Sequence, residues 1–287
     1  MPSSNYTITN ILNYNFDLTS TPPADPLYFG LSTSLVGAAD TGATVTEPNV
    51  WGYLRVPYDN NKTNWSVSTL GTLHNNLEIS FPQSNGGEWS NIGTPILSVF
   101  ISDDSNPEYG NILAFYTLDT PLVVPDLTQV SFPIGAITVT EPTTSATLRT
   151  INNILNYNYG LTTYTPDDGY GVLMFGLSTS IITAAGLSSV TEPPIDRGYE
   201  RIWYDSGAGQ TWTSPSGSPL TITNTMPVEF PAVTGSWGAI LYLFIADTND
   251  VGTGNVLWYS ELSPKIIVQN GASPVTFAAG DIAISMT

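Results

Sequence analysis

Apolar and polar residues alternate along this chain with a period of two, in runs that stop after five to seven positions. "LEISF" at Leu77 to Phe81, "ILSVFI" at Ile96 to Ile101 and "AITVT" at Ala136 to Thr140 show the pattern early. "AILYLFI" at Ala239 to Ile245, "NVLWYS" at Asn255 to Ser260 and "DIAIS" at Asp281 to Ser285 show it again late. A period of two sends successive side chains to opposite faces and predicts strands. Between the runs stand 22 Pro and 25 Gly, too many for long helices. The spacing predicts an all-β fold, with antiparallel β-sandwich or barrel architecture.

The pattern is also written twice. "NILNYN" at residues 10–15 returns at 153–158, "FGLSTS" at Phe29 to Ser34 returns at Phe175 to Ser180, and "VTEP" at Val45 to Pro48 returns at Val190 to Pro193. Gly52-Tyr53, Phe81-Pro82, Trp89 and Gly110-Asn111 have counterparts in Gly198-Tyr199, Phe230-Pro231, Trp237 and Gly254-Asn255. A period near 145 residues is the size of a whole domain rather than of a solenoid repeat. The expectation is two tandem similar antiparallel β-sandwich domains, residues 1–142 and 143–287, joined by the Pro/Thr/Ser stretch Thr140 to Thr147. Each begins with a short N-terminal helix or arm. Asn10 and Asn153 are candidate helix caps, and Ile11, Leu12, Tyr14, Ile154, Leu155 and Tyr157 are expected at an interface with the companion domain or a neighbouring subunit.

Charge narrows the function. Six Lys plus Arg against 24 Asp plus Glu give a net charge of −18, and Arg55, Lys62, Arg149, Arg197, Arg201 and Lys265 are too scattered to grip phosphates. No nucleic-acid or anionic-membrane partner is expected. With no Cys, neither a disulfide nor a thiolate metal site is possible. No run approaches 18 apolar residues and the N-terminus lacks a secretory pattern. Only 10% of residues are charged, so Thr, Ser, Asn and Gly must cover much of the surface, as on secreted or virion proteins.

Chemistry finds little to work with. His74 is the only histidine, without a neighbouring nucleophile motif, and reads as a solvated loop or strand-end residue. Glu47 and Glu192 each precede a proline, which favours extended geometry at a turn; with no apolar pocket in view to raise the pKa of either, a structural role is expected. The acidic loops "SDDSNPEYGN" (Ser102 to Asn111) and "ADTNDVGTGN" (Ala246 to Asn255) make Asp103, Asp104, Glu108, Asp247 and Asp250 candidate calcium ligands, although Asp, Asn and Gly also build plain turns. Seven Trp and 15 Tyr suit either a sugar-binding face or a core. Trp65, Trp89, Trp212 and Trp237 stand at matched positions, which favours the core. No enzyme and no cofactor are expected.

The ordered set "YFGLSTS", "TEP…WGYLRVPY", "EISFPQSNGGEWSNIGTPILSVFISDD…GNILAFYTL" and "VSFPIGAITVT" resembles a family of small virion proteins of tailed phages, often labelled tail fibre or virion structural proteins. The second copy, with "MFGLSTS", "GYERIWY", "EFPAVTGSWGAILYLFIADT" and "VTFAAGDIAISM", resembles it more closely. The first departs at Leu54, where the family has a small residue, and in the loop around Trp89. The resemblance implies a virion component assembled in the bacterial host cytoplasm, with no catalytic residues to carry over. Compactness and acidity together favour a capsid decoration or cement protein binding the major capsid protein; the alternative is a tail fibre or tail-tip module among other tail proteins that binds a receptor or glycan. A homo-oligomer is expected in either case.

Overall fold

The computed structural model describes residues 7–11, 25–48, 50–66, 72–89, 94–140, 150–151, 153–154, 172–184, 186–205, 212–217 and 219–286. Their strands divide into two compact units, one within Thr21–Pro142 and one within Tyr164–Thr287. In the first, β1 (Leu27–Ser32) lies between β2 (Val56–Tyr58) and β5 (Ile96–Ser102), and β5 pairs with β6 (Ile112–Leu122). This antiparallel sheet has the order β2-β1-β5-β6. Opposite it runs a two-stranded ribbon in two halves, β3 (Thr72–His74) with β8 (Thr138–Thr140) and β4 (Ile79–Gln83) with β7 (Gln129–Phe132). The second unit repeats the plan. Strands β9 (Val172–Ser178), β10 (Ile202–Asp205), β13 (Gly238–Ala246) and β14 (Val256–Val268) form the sheet β10-β9-β13-β14. Its ribbon pairs β11 (Leu220–Thr223) with β16 (Ala283–Met286) and β12 (Val228–Glu229) with β15 (Thr276–Phe277).

Register decides what each face carries. Phe29 stands opposite Ile101 and Leu31 opposite Val99, so these four share one face, while Gly30 opposite Phe100 and Ser32 opposite Ser98 share the other. The first face covers an aromatic layer. Phe29 meets Tyr58 edge-on at 5.4 Å and Trp65 at 6.0 Å, and Phe81 of the ribbon stacks on Tyr53 at 6.2 Å and meets Trp89 at 6.4 Å. Phe175, Tyr204 and Trp212, with Tyr199, Phe230 and Trp237, repeat the arrangement in the second unit. Each such ring, when fully buried, contributes roughly 2–3 kcal/mol of transfer free energy. The layer therefore accounts for much of the drive to fold, without a disulfide.

The other face is covered by the segment that follows β1. The Phe100 ring packs on Gly30: a β-carbon there would fall 2.2 Å from the ring's Cζ, and one added at Gly176 would fall 2.2 Å from Phe244 Cζ. Val36, Val45 and Ile112 close over Phe100, and Ile182, Met174 and Val256 over Phe244. Because β1 and β5 are covered on both faces, they read as near-continuous apolar runs.

Each ribbon breaks at one buried asparagine. The Asn75 amide donates to Leu77 O at 2.8 Å and Pro133 O at 2.9 Å, and its Oδ1 accepts Ile137 N at 2.8 Å. Asn224 makes the same three bonds to Met226 O, Ala278 O and Ile282 N. The side chain supplies what the interrupted ladder lacks.

The helical element occurs, but earlier than expected. Residues 7–11 are helical, as are 150, 151, 153 and 154, so Asn10 and Asn153 lie inside the turn and do not cap it. The reason is the i, i+3 spacing of Ile8 with Ile11 and of Ile151 with Ile154, all four 2% exposed. Thr7 Oγ1 donates to Leu113 O of β6 at 2.8 Å, and Thr150 Oγ1 to Leu257 O of β14 at 2.9 Å, fixing each of these threonines to a sheet. Leu12, Tyr14, Leu155, Tyr157 and the stretch from 141 to 147 lie outside the described residues.

Candidate functional site

The two echoed motifs "FGLSTS" and "VTEP" are halves of one clamp. Thr33 N donates to Thr46 O at 2.8 Å, Ser32 Oγ to the same oxygen at 3.1 Å, and Thr46 N to Ser34 Oγ at 3.3 Å. In the second unit Thr179 N and Ser178 Oγ donate to Thr191 O at 2.8 and 3.3 Å, and Thr191 N donates to Ser180 Oγ at 2.8 Å. The clamp turns the next residue, Glu47 or Glu192, inward.

There each glutamate meets a buried arginine. Arg55 Nη2 lies 2.6 Å from Glu47 Oε1 and its Nε 3.1 Å from both carboxylate oxygens, with the two side chains 0% and 2% exposed. Arg55 Nη1 donates to Ser102 Oγ at 3.0 Å, Asp104 O at 2.7 Å and Tyr109 O at 3.0 Å, and Nη2 to Pro107 O at 3.1 Å. Its guanidinium sits 5.3 Å over the Phe100 ring, a cation–π contact in a desolvated site. Arg201 repeats this with Glu192 at 2.7 Å, Thr248 O at 2.7 Å, Thr253 O at 3.1 Å and the Phe244 ring at 5.4 Å. Gly252 N adds a bond to Glu192 Oε1 at 2.8 Å. The acidic loops are thus held from beneath by a guanidinium, their carbonyls turned in.

A tyrosine completes each hub. Tyr53 OH donates to Glu47 Oε2 at 2.7 Å and accepts Leu31 N at 2.7 Å; Tyr199 OH does the same with Glu192 at 2.8 Å and Leu177 N at 2.9 Å. Burial, and then the neighbouring carboxylate, push both phenols well above the ordinary tyrosine value. Burial also raises the Glu47 carboxyl, against the opposing pull of Arg55 and Tyr53. The desolvated pocket unseen in the sequence is present around Glu47, whose side chain is 2% exposed. Both carboxylate oxygens of each glutamate are committed to Arg and Tyr, which makes the hub an organiser of loops.

The carboxylates of three candidate calcium ligands, Asp103, Asp104 and Asp247, bond within their own loops. Asp103 takes Asn111 N at 2.6 Å and Asn111 Nδ2 at 2.7 Å, and Asp247 takes Asn255 N and Nδ2 at 2.7 and 2.6 Å. Asp104 Oδ1 accepts Asn106 N at 2.8 Å, while Asp250 offers its carbonyl to Thr253. Glu108 donates its N–H to Asn106 Oδ1 at 3.2 Å. No group of three or more His, Asp or Glu able to hold a metal occurs among the described residues. His74 is exposed on β3, beside Thr138 Oγ1 at 3.0 Å. Ile11 and Ile154 are buried. Trp65, Trp89, Trp212, Trp237 and Trp258 are buried too, whereas Trp51 and Trp203 are exposed. Sequence reasoning missed Arg55 and Arg201, treating them as two of six scattered cations. The signal was their recurrence in "GYLR" and "GYER", two residues after matched tyrosines.

The family described as podophage GP4 fiber I protein gp80 matches residues 2–140 and again residues 145–285. The chain belongs to this fibre family. It is a phage virion structural protein, tail-fibre-like and carried in two tandem copies. In each copy "FGLSTS", "VTEP" and the Gly-Tyr motif build one complete hub, so the duplication repeats the whole bonded arrangement. No curated protein matches the chain. Membership of a fibre family supports the tail-fibre alternative better than the capsid-decoration expectation.

Proposed function

We propose that this chain is a non-enzymatic component of a phage tail fibre whose loops meet a receptor or glycan on the host surface. The observation that carries the reading is the fibre-family match over both copies. Geometry adds support, because the buried Glu47, Tyr53 and Arg55 are locked in bonding that shapes loops. Its partners in this reading are other tail proteins and further copies of itself, assembled in the host cytoplasm. A net charge of −18 keeps it away from packaged DNA. The test is gold-labelled antibody against the chain on intact virions. Label confined to the tail supports the proposal; label spread over the head lattice would establish the capsid-coat role in its place.

A further inference from the structure

Among the described residues, only two that are not glycine have left-handed backbone: Trp51 at φ 56 and Leu127 at φ 58. They meet at one loop cluster of the first unit, and both are exposed, at 46% and 64%. Trp51 is held by its carbonyl, which accepts Asn85 N at 3.0 Å and Trp89 Nε1 at 3.1 Å. Its indole lies against the backbone of Gly86 and Gly87, where a β-carbon would fall 2.9 Å from Cε3 and 2.6 Å from Cε2. Asp126 Oδ1 ties the cluster together, accepting Gly86 N at 2.9 Å and Gly87 N and Leu127 N at 3.0 Å each. Gln83 Nε2 donates to Leu127 O at 2.6 Å. The indole is therefore supported on one side and open on the other.

The second unit shows that the fold needs neither residue. Trp237 Nε1 donates to Arg197 O at 2.9 Å, so Arg197 holds the place of Trp51, and its side chain lies on Gly235 and donates to Ser236 O. Trp89 N binds Val124 O as Trp237 N binds Val268 O. Three residues on, Leu127 corresponds to Gly271, at φ 75. Left-handed backbone is natural for glycine and unfavourable for leucine or tryptophan. Asp126 corresponds to Asn270. One copy thus keeps two strained, apolar, outward side chains where its twin does without them, and strain retained in one place points to use there.

Resting on the fibre reading above, we propose that Trp51, Leu127 and Asp126 form a site for a neutral saccharide ring. The apolar C–H face of a pyranose stacks on the open indole face, Leu127 flanks it, and a ring hydroxyl donates to Asp126 Oδ2 while Gln83 Oε1 accepts a second. Anionic sugars and phosphates are repelled by Asp126 and by the chain's net charge. A protein partner needs roughly 800 Å² per side, far more than one indole and one leucine offer.

The test uses the full chain labelled with ¹⁵N at its tryptophan indoles, titrated with methyl glycosides and short neutral oligomers of glucose, galactose, mannose and N-acetylglucosamine. The Trp51 signal is assigned by its disappearance in W51F. The expected result is saturable movement of that signal with at least one sugar and none of the buried indoles. W51A lowers affinity roughly tenfold, about 1.4 kcal/mol, and W51R, which copies the second unit, lowers it likewise. Urea midpoints of W51A and W51R close to the parent's exclude misfolding, and L127G weakens binding in a chain whose fold it relaxes. No movement with any of the sugars, or binding that survives W51A, overturns the proposal. Gold label on the tail with a failed titration sinks the site and leaves the fibre role standing; label on the head with a successful one does the reverse.

Discussion

Replacing Arg55 with methionine removes the cation and keeps most of the volume. The loss is large because of what stays behind. Glu47, its side chain 2% exposed, becomes an uncompensated buried carboxylate, and breaking a buried pair from one side costs about 3–5 kcal/mol. The carbonyls of Asp104, Pro107 and Tyr109 lose their donor as well, but they belong to a surface loop that can turn to water. We therefore expect about 4 kcal/mol of destabilisation at pH 7, a large share of the 5–15 kcal/mol of a typical domain, together with local opening of residues 102–111. Urea unfolding followed by the core tryptophans gives the first quantity. Hydrogen exchange resolved by mass spectrometry gives the second, with residues 246–255 as the internal reference. The double variant E47Q/R55M should recover at least about 2 kcal/mol, since no charge is then stranded.

The pH dependence of R55M has a definite sign. Without Arg55 the Glu47 carboxyl, already raised by burial, rises further. A group whose folded pKa is raised contributes stability that is fully present below its unfolded value, near 4.5, and is lost as pH rises through the folded value. The R55M deficit should accordingly shrink on acidification from pH 7 toward 4.5. A loss below about 1 kcal/mol, exchange no faster in 102–111 than elsewhere, or a double variant no better than the single one would refute the hub as the loop's anchor.

Four further outcomes follow from particular contacts. G176A places a β-carbon 2.2 Å from the Phe244 ring and should cost about 3 kcal/mol by overpacking, measured by urea midpoint; a near-neutral change would mean the ring slides freely. N224A strips three bonds from a ribbon corner and should cost about 2–3 kcal/mol, with faster exchange at Ile282. Because the Tyr53 phenol is raised well above its ordinary value near 10, the stability it contributes holds below pH 10 and falls above it by about 1.4 kcal/mol per pH unit. Y53F should flatten that alkaline slope while weakening the protein at neutral pH. L127G relaxes a left-handed leucine and should raise stability by roughly 0.5–1 kcal/mol, checked by thermal melting.

The strands and their duplication were legible because a period of two and a repeated phrase are local signals: "ILSVFI" and "AILYLFI" lie inside β5 and β13. Matched tryptophans were legible as core for the same reason. Partnerships were not. Glu47 finds Arg55 eight residues on, and Arg55 finds carbonyls some fifty residues beyond that, distances over which periodicity carries no information. The helical turn was misplaced because Asn10 offered a cap signal while Ile8, the residue that sets the register, was overlooked. Trp89 recurs as Trp237 and Trp51 has no tryptophan counterpart, a difference the sequence carries, but the open indole on a left-handed backbone at φ 56 is visible only in three dimensions.

A loop gathered around a cation that is part of the same chain owes nothing to the surrounding medium for its shape. Chelators cannot extract Arg55 or Arg201, and dilution cannot dissociate them. Particles displaying such loops would meet fresh water, brine or a gut with one unchanged outline, leaving their outward acids and hydroxyls free to diversify.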